Sequence, residues 1–197
     1  TGAAGFIGSH LTERLLKNGQ DVVGLDNFCN FYDADAKRHN LATALEQGQF
    51  QLLKVDIRHR QDIFDAFAAH RPSAVVHLAA LAGVRPSIER PASYAAVNVD
   101  GTVNLLDAAV AYGCAKFLFV SSSSVYGNNE QVPFREDHPV DHPISPYAAT
   151  KKAGELICHS YWHLHRLPIF CLRLFTVFGP RQRPDLAIST FLHRIRD

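Results

Sequence analysis

Short apolar runs recur along this chain with helical stretches between them, and that alternation narrows the possible folds more than any other feature. Asp21 to Asp26, Phe50 to Val55, Ala74 to Leu78 and Lys116 to Val120 read as strands, and the apolar run from Ala74 to Leu78 as a buried parallel one. Helices are expected from the glycine-rich start to Gly19, from Asp35 to Gln47, through Ile63, Phe64 and Phe67, and from Pro91 to Tyr112. In the last of these, Val99, Val103, Leu106 and Ala109 are expected to face inward. Strands joined by helical crossovers pair in parallel, so the predicted class is α/β, a doubly wound parallel sheet. Ligands of such sheets lie at the carboxyl ends of the strands.

Composition excludes several roles. The chain has 197 residues, 47% of them hydrophobic, enough for one sizeable core and part of a second domain. Its net charge is +1 without a basic block, which gives no support to a nucleic-acid or membrane-surface partner. Cys29, Cys114, Cys158 and Cys171 are far apart, without C-x-x-C, which argues against a zinc site or disulfide scaffold and for a reducing, cytoplasmic setting. No metal site is expected: His159 and His163 are four apart, but residue 160 is Ser, so H-E-x-x-H fails. No apolar run approaches the ~18 residues of a membrane span, and no signal peptide is seen. Thr1-Gly2 opens in the middle of a phosphate-loop pattern that normally follows a strand, and Phe191 to Asp197 reads as an unfinished helix. The expectation is a fragment lacking the first strand and most of a C-terminal domain.

Thr1-Gly2-Ala3-Ala4-Gly5-Phe6-Ile7-Gly8 is a glycine loop running into a helix, with Ile7, Leu11, Leu15 and Leu16 on one face. Gly2, Gly5 and Gly8 follow G-x-x-G-x-x-G rather than G-x-G-x-x-G, a spacing that alone fits either a pyrophosphate cradle or ordinary turns. Asp26 stands 18 residues after Gly8, close to the ~20 expected of an acid that holds adenosine ribose hydroxyls. Asn27 and Phe28 follow it with no nearby arginine, so a 2′-phosphate would lack a cation and the reading is NAD rather than NADP. The alternative is that Asp26 caps a turn.

Ser121-Ser122-Ser123-Ser124 sits at a strand's carboxyl end, suited to hydrogen-bonding a ligand, although a plain serine loop also fits. In Ser145-Pro146-Tyr147-Ala148-Ala149-Thr150-Lys151, Ser145 is a good N-cap and Pro146 a good first helical residue. Tyr147 and Lys151 are then i and i+4, about 6 Å apart along the axis. A phenol with a pKa near ~10 needs roughly 4 kcal/mol of help to act as a base at neutral pH. One nearby cation at an effective dielectric of ~20 supplies a term of that size. By itself Y-x-x-x-K equally fits a packed tyrosine and a solvated lysine.

Taken together with His77-Leu78-Ala79-Ala80, Ser122 to Gly127, and Leu172-Arg173-Leu174-Phe175-Thr176-Val177-Phe178-Gly179-Pro180, these motifs make the chain resemble the extended short-chain dehydrogenase/reductases, specifically the nucleotide-sugar epimerase/dehydratase family. The resemblance implies a Rossmann-type NAD-binding domain over 1–178 and the start of a substrate-binding domain over 179–197. It implies a catalytic Ser122, Tyr147 and Lys151, with Ser122 on the reacting hydroxyl. It also implies Phe6, Ile7, Asn27, Asp56, Ile57, Leu78, Ala79, Ala80 and Asn98 along the cofactor. Val84-Arg85-Pro86-Ser87 and Arg181 to Ala187 look like the substrate loops of the UDP-glucuronate and UDP-glucose 4-epimerase branch. Val84, Arg85, Ser87, Ser123, Ser124, Phe175, Thr176 and Arg183 join Ser122 and Tyr147 as implied sugar-nucleotide contacts, while Arg181 fits a surface charge as well as a ligand role. Family dehydratases resemble T-D-E-V-Y-G at the serine loop, and serine cannot replace their carboxylic acid, so the reading favours C4 inversion of a UDP-sugar through a transient 4-keto intermediate. A dehydratase or reductase, and a non-catalytic NAD-binding protein, are the alternatives. A homodimer through the helices from Pro91 and Pro146 is implied as well.

Overall fold

The computed structural model describes residues 1–184 together with Leu186, Thr190, Phe191 and Ile195. Asp185, Ala187 and most of the expected closing helix from Phe191 to Asp197 lie outside the described residues. Packing divides the chain into two compact units, Thr1–Lys54 with Thr176–Asp197, and Val55–Phe175.

In the first unit, α1 (Phe6–Lys17) leads to β1 (Val22–Asp26), then α2 (Ala34–Asn40), α3 (Ala42–Leu45) and β2 (Phe50–Lys54). β1 and β2 pair in parallel from Val22 opposite Phe50 to Asp26 opposite Lys54. Ala4, Leu16, Leu41, Ala44 and Phe50 form the core, and Gly24 is needed because a Cβ there would lie 2.8 Å from both Ala3 Cβ and the Phe50 ring. The helix expected from Asp35 to Gln47 is two helices. Leu41 is drawn into the core and its N–H turns to Arg38 O, while the preceding Asn40 donates its side-chain amide to Ala4 O at 3.0 Å. Two successive inward side chains thus interrupt the single helical face. In α1 the buried positions are Gly8, Ser9, Thr12 and Leu16, with Ile7, Leu11 and Leu15 only half-buried, because small side chains bring the helix closest to its own glycine loop.

The second unit runs α4 (Arg60–His70), β3 (Ala74–His77), α5 (Val84–Glu89), α6 (Pro91–Ala95), a π turn (Ala96–Asp100), α7 (Gly101–Ala111), β4 (Lys116–Ser122), a 3₁₀ turn (Ser123–Tyr126), α8 (Pro146–His165) and β5 (Ile169–Leu174). Its strands are ordered β3-β4-β5, all parallel, as the α/β expectation requires. The stretch from Pro91 to Ala111 is helical throughout, but its π turn shifts the inward face. Tyr94, Asn98, Thr102, Leu105, Leu106 and Ala109 are buried while Val99 and Val103, expected inward, are half-buried. Val84 to Ser87, expected as a loop, begin the short helix α5. Phe119 of β4 carries α8 so closely that a Cβ on Gly154 would fall 2.3 Å from its ring.

Candidate active site

The glycine loop is shaped by three separate constraints. Gly2 has φ +69 and its N–H donates to Leu25 O at 2.8 Å, which turns the chain off the end of β1. Gly8 has no room for a side chain, since a Cβ would lie 2.0 Å from Gly2 O, and at Gly5 the same atom would be 3.2 Å away. Gly5 is the N-cap of α1 and has no side chain to cover the first-turn amides of Phe6, Ile7 and Gly8, the kind of helix start that suits an anion. Asp26, buried at the end of β1, accepts from Ala4 N at 3.0 Å through Oδ2 and from Phe28 N at 2.9 Å through Oδ1. Each oxygen retains a second acceptor position suited to a hydroxyl. The next residue, Asn27, turns its Oδ1 to Cys29 N.

The same unit carries Arg181 and Arg183. The Arg183 guanidinium lies 5.0 Å over the Phe31 ring. Arg181 pairs with Glu13 at 2.6 Å, an ion pair that neither of its two open readings, surface charge or ligand, included. Thr176 is exposed.

In the second unit, Ser145 Oγ accepts from Ala148 N at 3.1 Å and Pro146 opens α8, the local signals that set the pitch of Tyr147 and Lys151. Tyr147 is half-buried, with Tyr94 edge-on at 6.2 Å between ring centroids. Tyr94 is itself held by donating to Ala82 O at 2.8 Å. Lys151 is 4% exposed, donates to Val120 O at 2.8 Å and lies 5.1 Å from the Phe119 ring centroid. Burial lowers its pKa to about 8, so its ammonium is poised to gain from any negative oxygen brought near it.

The four serines separate by role. Ser121 donates to Glu155 Oε1 at 2.6 Å, and Glu155 is also clamped by Arg173 through two 2.9 Å bonds. Ser122 ends β4, accepts from Ser124 N at 3.2 Å and shares a 3.2 Å contact with the Ser124 hydroxyl, while Ser123 is half-buried. The Glu155–Arg173 clamp was not anticipated, although an acid one turn beyond Lys151 on α8 was its available signal.

Other expected residues fall as follows. Asp56 is bound by Arg58 at 2.7 Å, and Ile57 packs where a Cβ on Gly101 would be 2.6 Å from it. Leu78, Ala79 and Ala80 follow β3 and are half-buried. Asn98 points to this loop, its Oδ1 accepting from Leu81 N at 2.9 Å and its Nδ2 donating to Leu81 O at 3.0 Å. Val84 and Arg85 are exposed, but Ser87 is buried and donates to Val84 O. Phe175 stacks with Tyr126 and Phe134, 6.3 and 6.0 Å between centroids. Among the described residues no three His, Cys, Asp or Glu side chains gather around a metal position.

Chemically, the second unit holds a half-buried phenol at Tyr147, a buried ammonium four residues further along the same helix and the Ser122 hydroxyl at the end of β4. The first unit sets the uncapped start of α1 near the buried Asp26 carboxylate, which the Ala4 N–H touches.

The family model described as NAD dependent epimerase/dehydratase matches residues 1–197. A UDP-glucuronate 4-epimerase of Thermodesulfobacterium geofontis is 44% identical over 192 residues, which are 98% of this chain and 59% of that protein. Among solved structures, the Bacillus cereus UDP-glucuronic acid 4-epimerase in complex with UDP-glucuronic acid and NAD superposes with TM-score 0.90 at 39% identity, covering 99% of this chain and 61% of that one. The Thermotoga maritima UDP-glucose 4-epimerase with UDP-glucose gives TM-score 0.87 at 34% identity, covering 98% and 60%. The chain thus spans about three fifths of the length of these relatives.

Proposed function

This chain belongs to the NAD dependent epimerase/dehydratase family, and from that premise we propose that its protein inverts C4 of a UDP-sugar, with UDP-glucuronate as substrate. The observation that carries the reading is the pairing at the start of α8 of a half-buried Tyr147 with a buried Lys151 whose pKa is lowered to about 8. NAD, when bound, supplies a hydride acceptor and donor for C4. Tyr147 takes the proton of the 4-hydroxyl as it is oxidised and returns it after the 4-keto sugar has turned over. Lys151 stabilises the phenolate, and Ser122 orients the oxygen. Gly2, Gly5, Phe6, Ile7, Gly8, Asp26 and Asn27 would hold the adenosine and pyrophosphate portions. Asp56, Ile57, Leu78, Ala79, Ala80 and Asn98 would serve the rest of the cofactor.

Ser123 and Ser124 beside Ser122 support epimerisation over dehydration, because elimination of water needs a carboxylic acid there. Arg85 and Arg183 provide guanidinium groups suited to a uronate carboxylate or a diphosphate. Residues 1–178 form the nucleotide-binding domain on this reading, and 179–197 open the substrate-binding domain. We place the protein in the cytoplasm as a homodimer. No described helix is long and apolar enough to cross a membrane.

The test is incubation of the protein, expressed from its complete reading frame, with UDP-glucuronate and with UDP-glucose. Conversion of UDP-glucuronate to UDP-galacturonate without added NAD is the expected result. Conversion of UDP-glucose alone would move the hexose reading ahead, loss of water would indicate a dehydratase, and NAD retention without turnover would indicate a binding protein.

A further inference from the structure

A chain of buried hydrogen bonds runs from the end of β3 to the first turn of α8. His77 Nε2 lies 3.0 Å from Thr102 Oγ1, and Thr102 donates its single hydroxyl proton to Asn98 O at 2.7 Å. With that proton on Asn98 O, the matching His77 tautomer carries its proton on Nε2 and donates to Thr102. Burial and the nearby Lys151 charge hold the imidazole pKa well below the usual histidine range, in keeping with a neutral ring. His77, Thr102 and Asn98 are all 2% exposed or less.

From Asn98 the chain continues through the side chain. Leu81 N requires an acceptor and Leu81 O a donor, which settles the orientation of the amide. The Asn98 Nδ2 also donates to Thr150 Oγ1 at 3.0 Å, and Thr150 donates onward to Tyr147 O at 2.8 Å. Asn98 reaches both partners from the π turn, whose wider winding interrupts the regular ladder where its carbonyl receives Thr102. Every donor along the chain has one direction, so the loop after β3 and the turn bearing Tyr147 are held by the same central amide.

We propose that Thr102 and Thr150 are positioning residues for Tyr147, fixing the height of its turn on α8 relative to the loop at Leu81 through Asn98. The proposal rests on Tyr147 acting as the proton-transfer group. Neither threonine needs to touch substrate or cofactor. Their effect is on the angle and distance at which the phenol meets the reacting hydroxyl, a quantity to which rate is steeply sensitive.

Thr150→Val and Thr150→Ser in the protein expressed from its complete reading frame, with Tyr147→Phe as control, form the primary test. In Thr150→Val the Asn98 amide keeps Leu81 O and loses one acceptor, and in the folded variant kcat is expected to fall on the order of 10- to 100-fold. KM for the UDP-sugar and the NAD retained on purification should stay within about twofold, and Thr150→Ser should recover kcat to within about threefold of the parent. Thr102→Val and Thr102→Ser should repeat the pattern, and should Thr102→Val fail to fold, the Thr150 pair decides alone. An unchanged kcat in Thr150→Val, a serine variant no better than the valine one, or kcat, KM and NAD retention failing together would each overturn the proposal. A Tyr147→Phe protein that still turns over would instead remove the functional reading beneath it.

Discussion

At Tyr147 and Lys151 the sequence signal was local, and locality is why it was legible: an N-cap, a proline and a spacing of four fix a phenol and an ammonium on one helix face. If Tyr147 moves the proton, Tyr147→Phe should lower turnover by roughly 10²- to 10⁴-fold while leaving NAD retention intact, as product formation and absorbance of the released nucleotide will show. Lys151 makes a separate, pH-dependent prediction. Burial disfavours its ammonium in the folded state, so its pKa falls from 10.5 to about 8, and between those values the unfolded chain binds more protons. Its penalty to folding is therefore fully present below about pH 8 and is relieved as the pH rises to 10.5. Relative to a Lys151→Met variant, the nucleotide-free parent should gain about 3 kcal/mol across that window in denaturant titrations, and a flat difference would contradict the assignment. For Arg183→Leu, binding of the uronate should weaken by about 1.5–3 kcal/mol with little change for the neutral hexose, measured as competing affinities. Equal losses would assign Arg183 to the diphosphate. Arg181 shows what residue types cannot disclose, since its partner Glu13 is 168 positions away.

At the scale of elements, strands and crossovers were readable because apolar runs and periodicity are properties of neighbouring residues, whereas register shifts depend on distant ones. The π turn at Ala96–Asp100 leaves no compositional trace, yet it exchanges Val99 and Val103 for Asn98 and Thr102 on the buried face. The break at Leu41 likewise depends on Ala4, whose carbonyl recruits Asn40. Close approach is the other hidden quantity. Gly154 reads as an unremarkable helix interior, but its missing Cβ lets α8 rest on Phe119, the ring that Lys151 also touches. Gly154→Ala should therefore reverse the usual helix-propensity gain and destabilise the protein by about 1–3 kcal/mol by overpacking. Thermal unfolding measures the first effect, and a fall in kcat larger than any change in KM would report the displaced lysine.

For the whole molecule, the expected dimer draws on how the helices of the second unit are tied together. Asp107 of α7 accepts from Tyr161 of α8 and from Arg60 of α4, and Tyr161 and Arg60 with it make the two long helices one packed face. The Tyr161 bond and Arg60 also hold the Asp107 carboxyl below its ordinary range against the opposing effect of burial, so this tie persists at neutral pH. On the solvent side of α8, Leu156 and Leu164 are 57% and 70% exposed, eight residues apart and hence on neighbouring sides of the same helix. Single exposed leucines are ordinary, but two on one stretch of the same helix are a surface that a second copy can cover. The protein expressed from its complete reading frame should sediment as a dimer at micromolar concentration. Leu156→Asp with Leu164→Asp should give a monomer of unchanged far-ultraviolet circular dichroism, because neither side chain contributes to the buried core. A parent that sediments as a monomer would remove the dimer from this reading, and a dimer indifferent to both substitutions would move its interface to another face.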